Sequence, residues 1–104
     1  MKIRRATEAD QATIHELWQE FEDEVPQAEG FLPEKWDEEW ADVQENLATG
    51  AVFLAEDEAG PLGVARLQEM RQGSSHIHLV YVRPRARRQG VTKALLRACA
   101  DVAR

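Results

Sequence analysis

The chain has 104 residues, enough for one domain and too few for two, and its 43% hydrophobic and 31% charged residues exclude disordered and collagen-like classes. A single cysteine rules out a disulfide framework, and no apolar run nears the roughly eighteen residues of a membrane span. The net charge of −6 conceals a basic block, Arg83, Arg85, Arg87, Arg88, Lys93 and Arg97, in a stretch without acids, and an acidic chain with one such block suits a small anion better than a nucleic-acid backbone.

The N-terminus, Met1-Lys2-Ile3-Arg4-Arg5, lacks the apolar segment of a signal peptide, so the expected location is the cytoplasm, where Cys99 stays reduced. Residues 3–6 predict a short strand. Thr7 three residues before Asp10 is a variant of the capping box and predicts a helix start. Ile14, Leu17, Trp18, Phe21 and Val25 then recur at helical spacing, with His15, Glu16, Gln19, Glu20, Glu22 and Asp23 on the other side. After a loop holding Pro26, Gly30 and Pro33, a second stripe of Trp36, Trp40, Val43 and Leu47 predicts another helix, ended by Gly50. Trp18, Trp36 and Trp40 fall at core spacing, so they are packing residues before they are substrate stackers.

Residues 51–55 and 62–70 read as strands joined by the turn residues of 57–61, a hairpin. A turn at 71–74 leads into 75–82, where Ile77, Leu79 and Tyr81 alternate with His76, His78, Val80 and Val82 and predict a third long strand. Past Pro84 and Gly90, the stripe of Val91, Leu95, Ala98, Cys99 and Val102 predicts a helix over 91–103. No internal repeat or low-complexity segment interrupts this order.

Chemistry concentrates where the last helix begins. A helix N-terminus carries unpaired N–H groups and partial positive charge, so Arg85, Arg87, Arg88 and Lys93 there ask for an anion. Gly90 lets the backbone turn tightly, so the N–H groups from Arg88 to Lys93 form a candidate cradle for a pyrophosphate, against the plainer reading of a solvated basic turn. The glycines of the Walker A and dinucleotide patterns are absent, which disfavours nucleoside triphosphates and NAD.

Val82-x-Pro84, followed by Arg87-Arg88-Gln89-Gly90-Val91-Thr92 and Ala94-Leu95-Leu96, resembles the acyl-CoA motif of the GNAT superfamily of acyl-CoA-dependent N-acetyltransferases. That signature is R/Q-x-x-G-x-G/A; Arg87 and Gly90 match it, and Thr92 stands where glycine or alanine is usual. The opening from Ile3 through Trp18, and the two helices before a hairpin, also look like the family's. The resemblance implies an α/β fold of α+β type, a mixed, mostly antiparallel sheet flanked by helices in the order β-α-α-β-β-β-α, as a single domain over 1–104 cut short before the usual fifth strand. It implies acetyl-CoA as co-substrate, with Val80, Tyr81 and Val82 along the pantetheine arm and Arg87, Arg88, Gln89, Gly90, Val91, Thr92 and Lys93 around the pyrophosphate.

The acceptor it implies is a small amine or a peptide amine attacking the thioester directly, with no metal, nucleic acid or membrane involved. An alkylammonium has a pKa of about 10, so a general base is needed. His78 stands where relatives often place a glutamate; it reads as that base or as an ordinary exposed strand histidine, with His76 as an alternate. The two histidines share a face as metal ligands do, but a third ligand is not evident. The acids from Glu20 to Glu24 and from Glu29 to Glu45 read as a solvated face or as an attraction for a cationic amine. The family's next strand, the helix with its tyrosine acid and the closing hairpin have no counterpart before Arg104, which leaves 75–82 as an edge unless a second copy completes the sheet. Two further readings are a non-catalytic acyl-CoA-binding or dimerisation module and a nucleic-acid-binding fragment built on the arginine block.

Overall fold

A computed structural model describes residues 1–25, 35–69 and 74–103. Strand β1, Lys2–Arg5, opens the chain. The capping box then closes as its spacing predicts: the Thr7 N–H donates to Asp10 Oδ2 at 2.9 Å, and the Ala9 N–H donates to the Thr7 hydroxyl at 3.2 Å. It caps a 3-10 turn, Glu8–Asp10, that runs directly into helix α1, Gln11–Glu24. The loop containing Pro26, Gly30 and Pro33 lies outside the described residues, as do Met70, Arg71, Gln72, Gly73 and Arg104.

Helix α2, Trp36–Thr49, stops at Gly50 as its sequence suggests, though the requirement for glycine is one of space. A Cβ at position 50 would sit 1.9 Å from the Leu67 carbonyl oxygen, so only a residue without one lets the chain leave α2 against the neighbouring strand. Strands β2, Ala51–Asp57, and β3, Gly60–Glu69, form the hairpin. Pairing begins with Asp57 opposite Gly60, so the turn is tighter than the sequence suggested; the Ala59 N–H donates to Asp57 Oδ1 at 2.9 Å, and Gly60 takes a φ of +124°. Strand β4, Ser75–Val82, pairs with β3, a 3-10 turn follows at Pro84–Ala86, and helix α3 spans Val91–Ala103.

The sheet order is β1-β2-β3-β4 and every pairing is antiparallel. The element order β-α-α-β-β-β-α is the one expected. Strands β2 and β3 are buried on both faces, which explains why Ala51 to Ala55 and Leu62 to Leu67 read as near-continuous apolar runs. On one face Leu17 and Ile14 of α1 and Val43 of α2 pack on Val52, Leu54 and Val64, with Trp36 and Trp40 partly buried against them; Trp18 is buried, so the tryptophans serve packing, Trp18 within the core and the other two at its margin. On the other face Val91, Leu95 and Cys99 of α3 cover Phe53, Ala65 and Leu67. Each such fully buried side chain contributes about 1.5–3 kcal/mol of transfer free energy. Burial also pushes the Cys99 thiol above its usual range, away from reactivity.

Candidate functional site

Among the described residues strand β4 is the last of the sheet, and its alternate peptide groups face away from β3. The Arg83 N–H donates to the Leu62 carbonyl at 2.9 Å, which directs residues 83 and 81 toward β3 and residues 82 and 80 outward. Val80 and Val82 therefore present backbone groups on the open edge, with both side chains on the α3 face. Tyr81 points the other way: its ring stacks on Phe21 of α1 at 6.1 Å between centroids, and its hydroxyl lies 3.4 Å from Glu20 Oε1. Burial, with Glu24 and Glu20 close by, pushes its phenol above the usual range.

Near its start β4 carries one residue too many. Arg66 pairs with Leu79 and Leu67 with Ile77, so His78 has no opposite number on β3. This bulge corrects the simple alternation read from the sequence, which placed Ile77 and Leu79 on one face: Ile77 instead stands opposite Leu67 of the α3 face, and Leu79 packs with the α1 and α2 cluster. His78 is exposed, and its ring lies 6.3 Å from that of His76. Among the described residues no group of three or more His, Cys, Asp or Glu side chains is placed to hold a metal ion.

Beyond β4 the chain makes the turn singled out by its sequence. Arg88 takes a φ of +66° and Gly90 one of +80°, so left-handed residues flank Gln89 and the backbone folds into a concavity. The Arg87 N–H is used, donating to the Pro84 carbonyl, and the Ala94 N–H makes the first bond of α3, to the Gly90 carbonyl at 3.0 Å. Between them, among the described residues, the six N–H groups of Arg88, Gln89, Gly90, Val91, Thr92 and Lys93 have no hydrogen-bond partner. A cavity of about 450 Å³ adjoins them, lined by Val82, Ala86, Arg87, Arg88, Gly90, Val91, Thr92, Lys93 and Leu96. Thr92 is exposed there, and Gln89 instead turns its side chain to the Arg85 carbonyl at 3.1 Å. A wider depression of about 720 Å³ by Met1, Lys2 and Glu56 to Ala59 contains none of these groups.

The basic block divides in two. Arg83 reaches back to α1, donating to Glu20 at 2.7 Å and to Glu16 at 2.5 Å, and also to the Pro61 carbonyl at 3.0 Å. Arg87 donates from Nε to the Val82 carbonyl at 2.9 Å and from Nη2 to Glu24 Oε2 at 2.5 Å, with its guanidinium 5.8 Å from the Tyr81 ring centroid. The bond to Glu24 holds the Arg87 pKa above its ordinary value. Arg85 lies 3.6 Å from Asp57. Arg88 and Lys93, by contrast, have no ion-pair partner among the described residues, so their charge remains for a ligand. Glu16, Glu20 and Glu24 escaped the sequence reading as partners of the arginines; their spacing of four residues along one side of α1 was the available signal.

The family model for the acetyltransferase (GNAT) family matches residues 11–104. Similar solved structures include a ribosomal-protein-alanine N-acetyltransferase from Brucella melitensis, 24% identical with a TM-score of 0.77, over 99% of this chain and 67% of that one. A putative acetyltransferase from Salmonella typhimurium with its cofactor acetyl-CoA is 24% identical with a TM-score of 0.77, over 99% and 62%. A GNAT superfamily phosphinothricin acetyltransferase from Sinorhizobium meliloti in complex with AcCoA is 24% identical with a TM-score of 0.78, over 98% and 58%. At such identities the likeness is one of fold, and the chain spans about three fifths to two thirds of these relatives. No curated protein matches it.

Proposed function

The chain belongs to the acetyltransferase (GNAT) family, and from that premise we propose that it binds acetyl-CoA at the 87–93 turn and transfers the acetyl group to a small amine or peptide amine. The observation that carries this reading is the run of six unpartnered N–H groups around two left-handed residues, at the mouth of a cavity bounded by cationic side chains. Oxygens of a diphosphate are the acceptors such a concavity suits. The outward peptide groups of Val80 and Val82 continue the same surface, which supports a pantetheine arm along β4. Val82 offers only its N–H, since its carbonyl is taken by Arg87.

In this reading the amine nitrogen bonds to the acetyl carbon as the carbon–sulfur bond breaks, and the proton lost by the amine returns to the departing sulfur. His78 is the proposed base: it is exposed at the bulge, beside the stretch of β4 where this reading puts the thioester. Its imidazole has no hydrogen-bond partner among the described residues, and that lack of an orienting group is what favours a second reading, a module that binds acyl-CoA without turning it over. The pairing of Glu16 and Glu20 with Arg83 offsets their charge as an attraction for a cationic acceptor. Among the described residues no helix is long and apolar enough to cross a membrane. The cytoplasm and a second copy at the β4 edge remain parts of this proposal.

Calorimetric titration with acetyl-CoA tests the site. Saturable one-to-one binding is expected, weakened by about tenfold or more in Gly90→Asp. A Cβ at position 90 would meet open space, so the loss comes from the carboxylate and from forcing a side chain into a φ of +80°. Unchanged affinity would remove the site from the 87–93 turn. His78→Ala is expected to lower kcat near neutral pH by on the order of 10²-fold with acetyl-CoA affinity intact, and equal rates would leave His78 a surface residue.

A further inference from the structure

The arginine that matches the family motif is already bound. Arg87 opens the turn and lines the same cavity as residues 88 and 90 to 93, while its Nη2 is committed to Glu24, the last residue of α1. The two side chains are 47% and 40% exposed, so water competes for the pair and its strength is modest. A diphosphate in the cavity offers the guanidinium more negative charge than one carboxylate does, in the charge-assisted geometry that arginine favours.

We propose that Glu24 is an affinity-setting residue that competes with the cofactor's diphosphate for Arg87. The inference rests on the acetyl-CoA site proposed above and adds a carboxylate that weakens it. Exchange is local: a rotation of the Arg87 side chain that gives up its bonds to Glu24 and to the Val82 carbonyl moves the guanidinium from α1 to the cavity, while the backbone turn stays held by the Arg87 N–H bond to Pro84. The neighbouring pair does not share this freedom, because Arg83 holds two carboxylates and the Pro61 carbonyl and its side chain is 15% exposed. The competition has a use in turnover. Acetyl-CoA and the free thiol left after transfer carry the same diphosphate, so an arginine committed to that group would slow product release.

The test is titration of acetyl-CoA into the wild-type chain, Glu24→Gln, Asp23→Asn, Arg87→Gln and Glu24→Gln combined with Arg87→Gln, with thermal melts to verify folding. Glu24→Gln is expected to bind roughly two- to fivefold more tightly, the range an exposed ion pair allows. Asp23→Asn removes the same charge one residue away, from a carboxylate that accepts from Gln19 and does not touch Arg87, and should leave affinity unchanged. The gain should vanish when Arg87→Gln is added, measured against Arg87→Gln alone. Affinity in Glu24→Gln equal to or weaker than wild type overturns the competition while leaving the site standing, and so does an equal gain in Asp23→Asn, which would mark a general field effect. Absence of saturable binding in both wild type and Glu24→Gln overturns the acetyl-CoA site and this inference with it.

Discussion

Arg66 and Arg87 are each held by a glutamate from a helix on the same face of the sheet, yet water reaches only one of the two pairs. Arg66, in the middle of β3, is 1% exposed; it pairs with Glu39 of α2, donates from Nε to Asn46 Oδ1 at 2.7 Å, and leaves Nη2 without a partner. Asn46 in turn donates to Gln68, and Gln68 to the Thr49 hydroxyl. In the interior the attraction is strong, but so is the cost of stripping both ions of water, and an unsatisfied donor adds to it. The Arg87 pair at the surface has neither large term. An interior pair can therefore fix how α2 lies on the sheet but cannot exchange partners, while a surface pair fixes little and can give its arginine to a ligand.

The sharpest way to break that contrast is to remove one interior partner. Arg66→Ala takes from the buried Glu39 its arginine partner and is expected to cost about 3–5 kcal/mol, a large part of a small domain's stability, read by urea denaturation. Arg66→Met with Glu39→Leu should recover most of that loss, because two apolar side chains of similar size replace both ions. A double variant as unstable as Arg66→Ala would mean that the pair holds the fold in its own right. At the surface, Glu20→Gln is expected to cost no more than about 1 kcal/mol, a melting shift of about 4–8 °C at most, since Glu20 is a third exposed and Glu16 still holds Arg83.

Between the extremes stands Asp10, whose pKa is lowered by its hydrogen bonds to Arg4, at 2.8 and 3.0 Å. A depressed carboxylate contributes stability above its unfolded pKa of about 3.9 and loses it as pH falls through the lower folded value. Asp10→Asn should therefore be less stable at neutral pH, by about 1 kcal/mol, and the gap to wild type should close in acid below about pH 4. A gap that stays constant down to pH 2 would show that the charge of Asp10 adds nothing to its capping role.

Most of the architecture was legible because apolar spacing controls it: the stripes of α1, α2 and α3 and the hairpin turn are local signals. The 87–93 turn was legible for the same reason, since glycine and clustered cations are read from neighbours in the chain. Pairings between distant elements were not. The bulge at His78 depends on where β3 stands, which no period within 75–82 reveals. Arg66 sat inside an apolar strand pattern, and its partners Glu39 and Asn46 are seven residues apart on a helix more than one strand away. A charged residue in a buried run facing two polar positions on one helix side is a pattern worth seeking in other sequences.

Deleting one residue from a strand normally turns every side chain beyond it to the opposite face. Position 78 is the exception in β4, because Ile77 and Leu79 already oppose consecutive residues of β3, so removal of His78 keeps all the observed pairs and only straightens the strand. Evolutionary drift could thus erase the kink with a single codon loss and little damage to the sheet. Lineages of this fold that shed the residue would be expected to remain foldable while giving up whatever the kink does for the open edge.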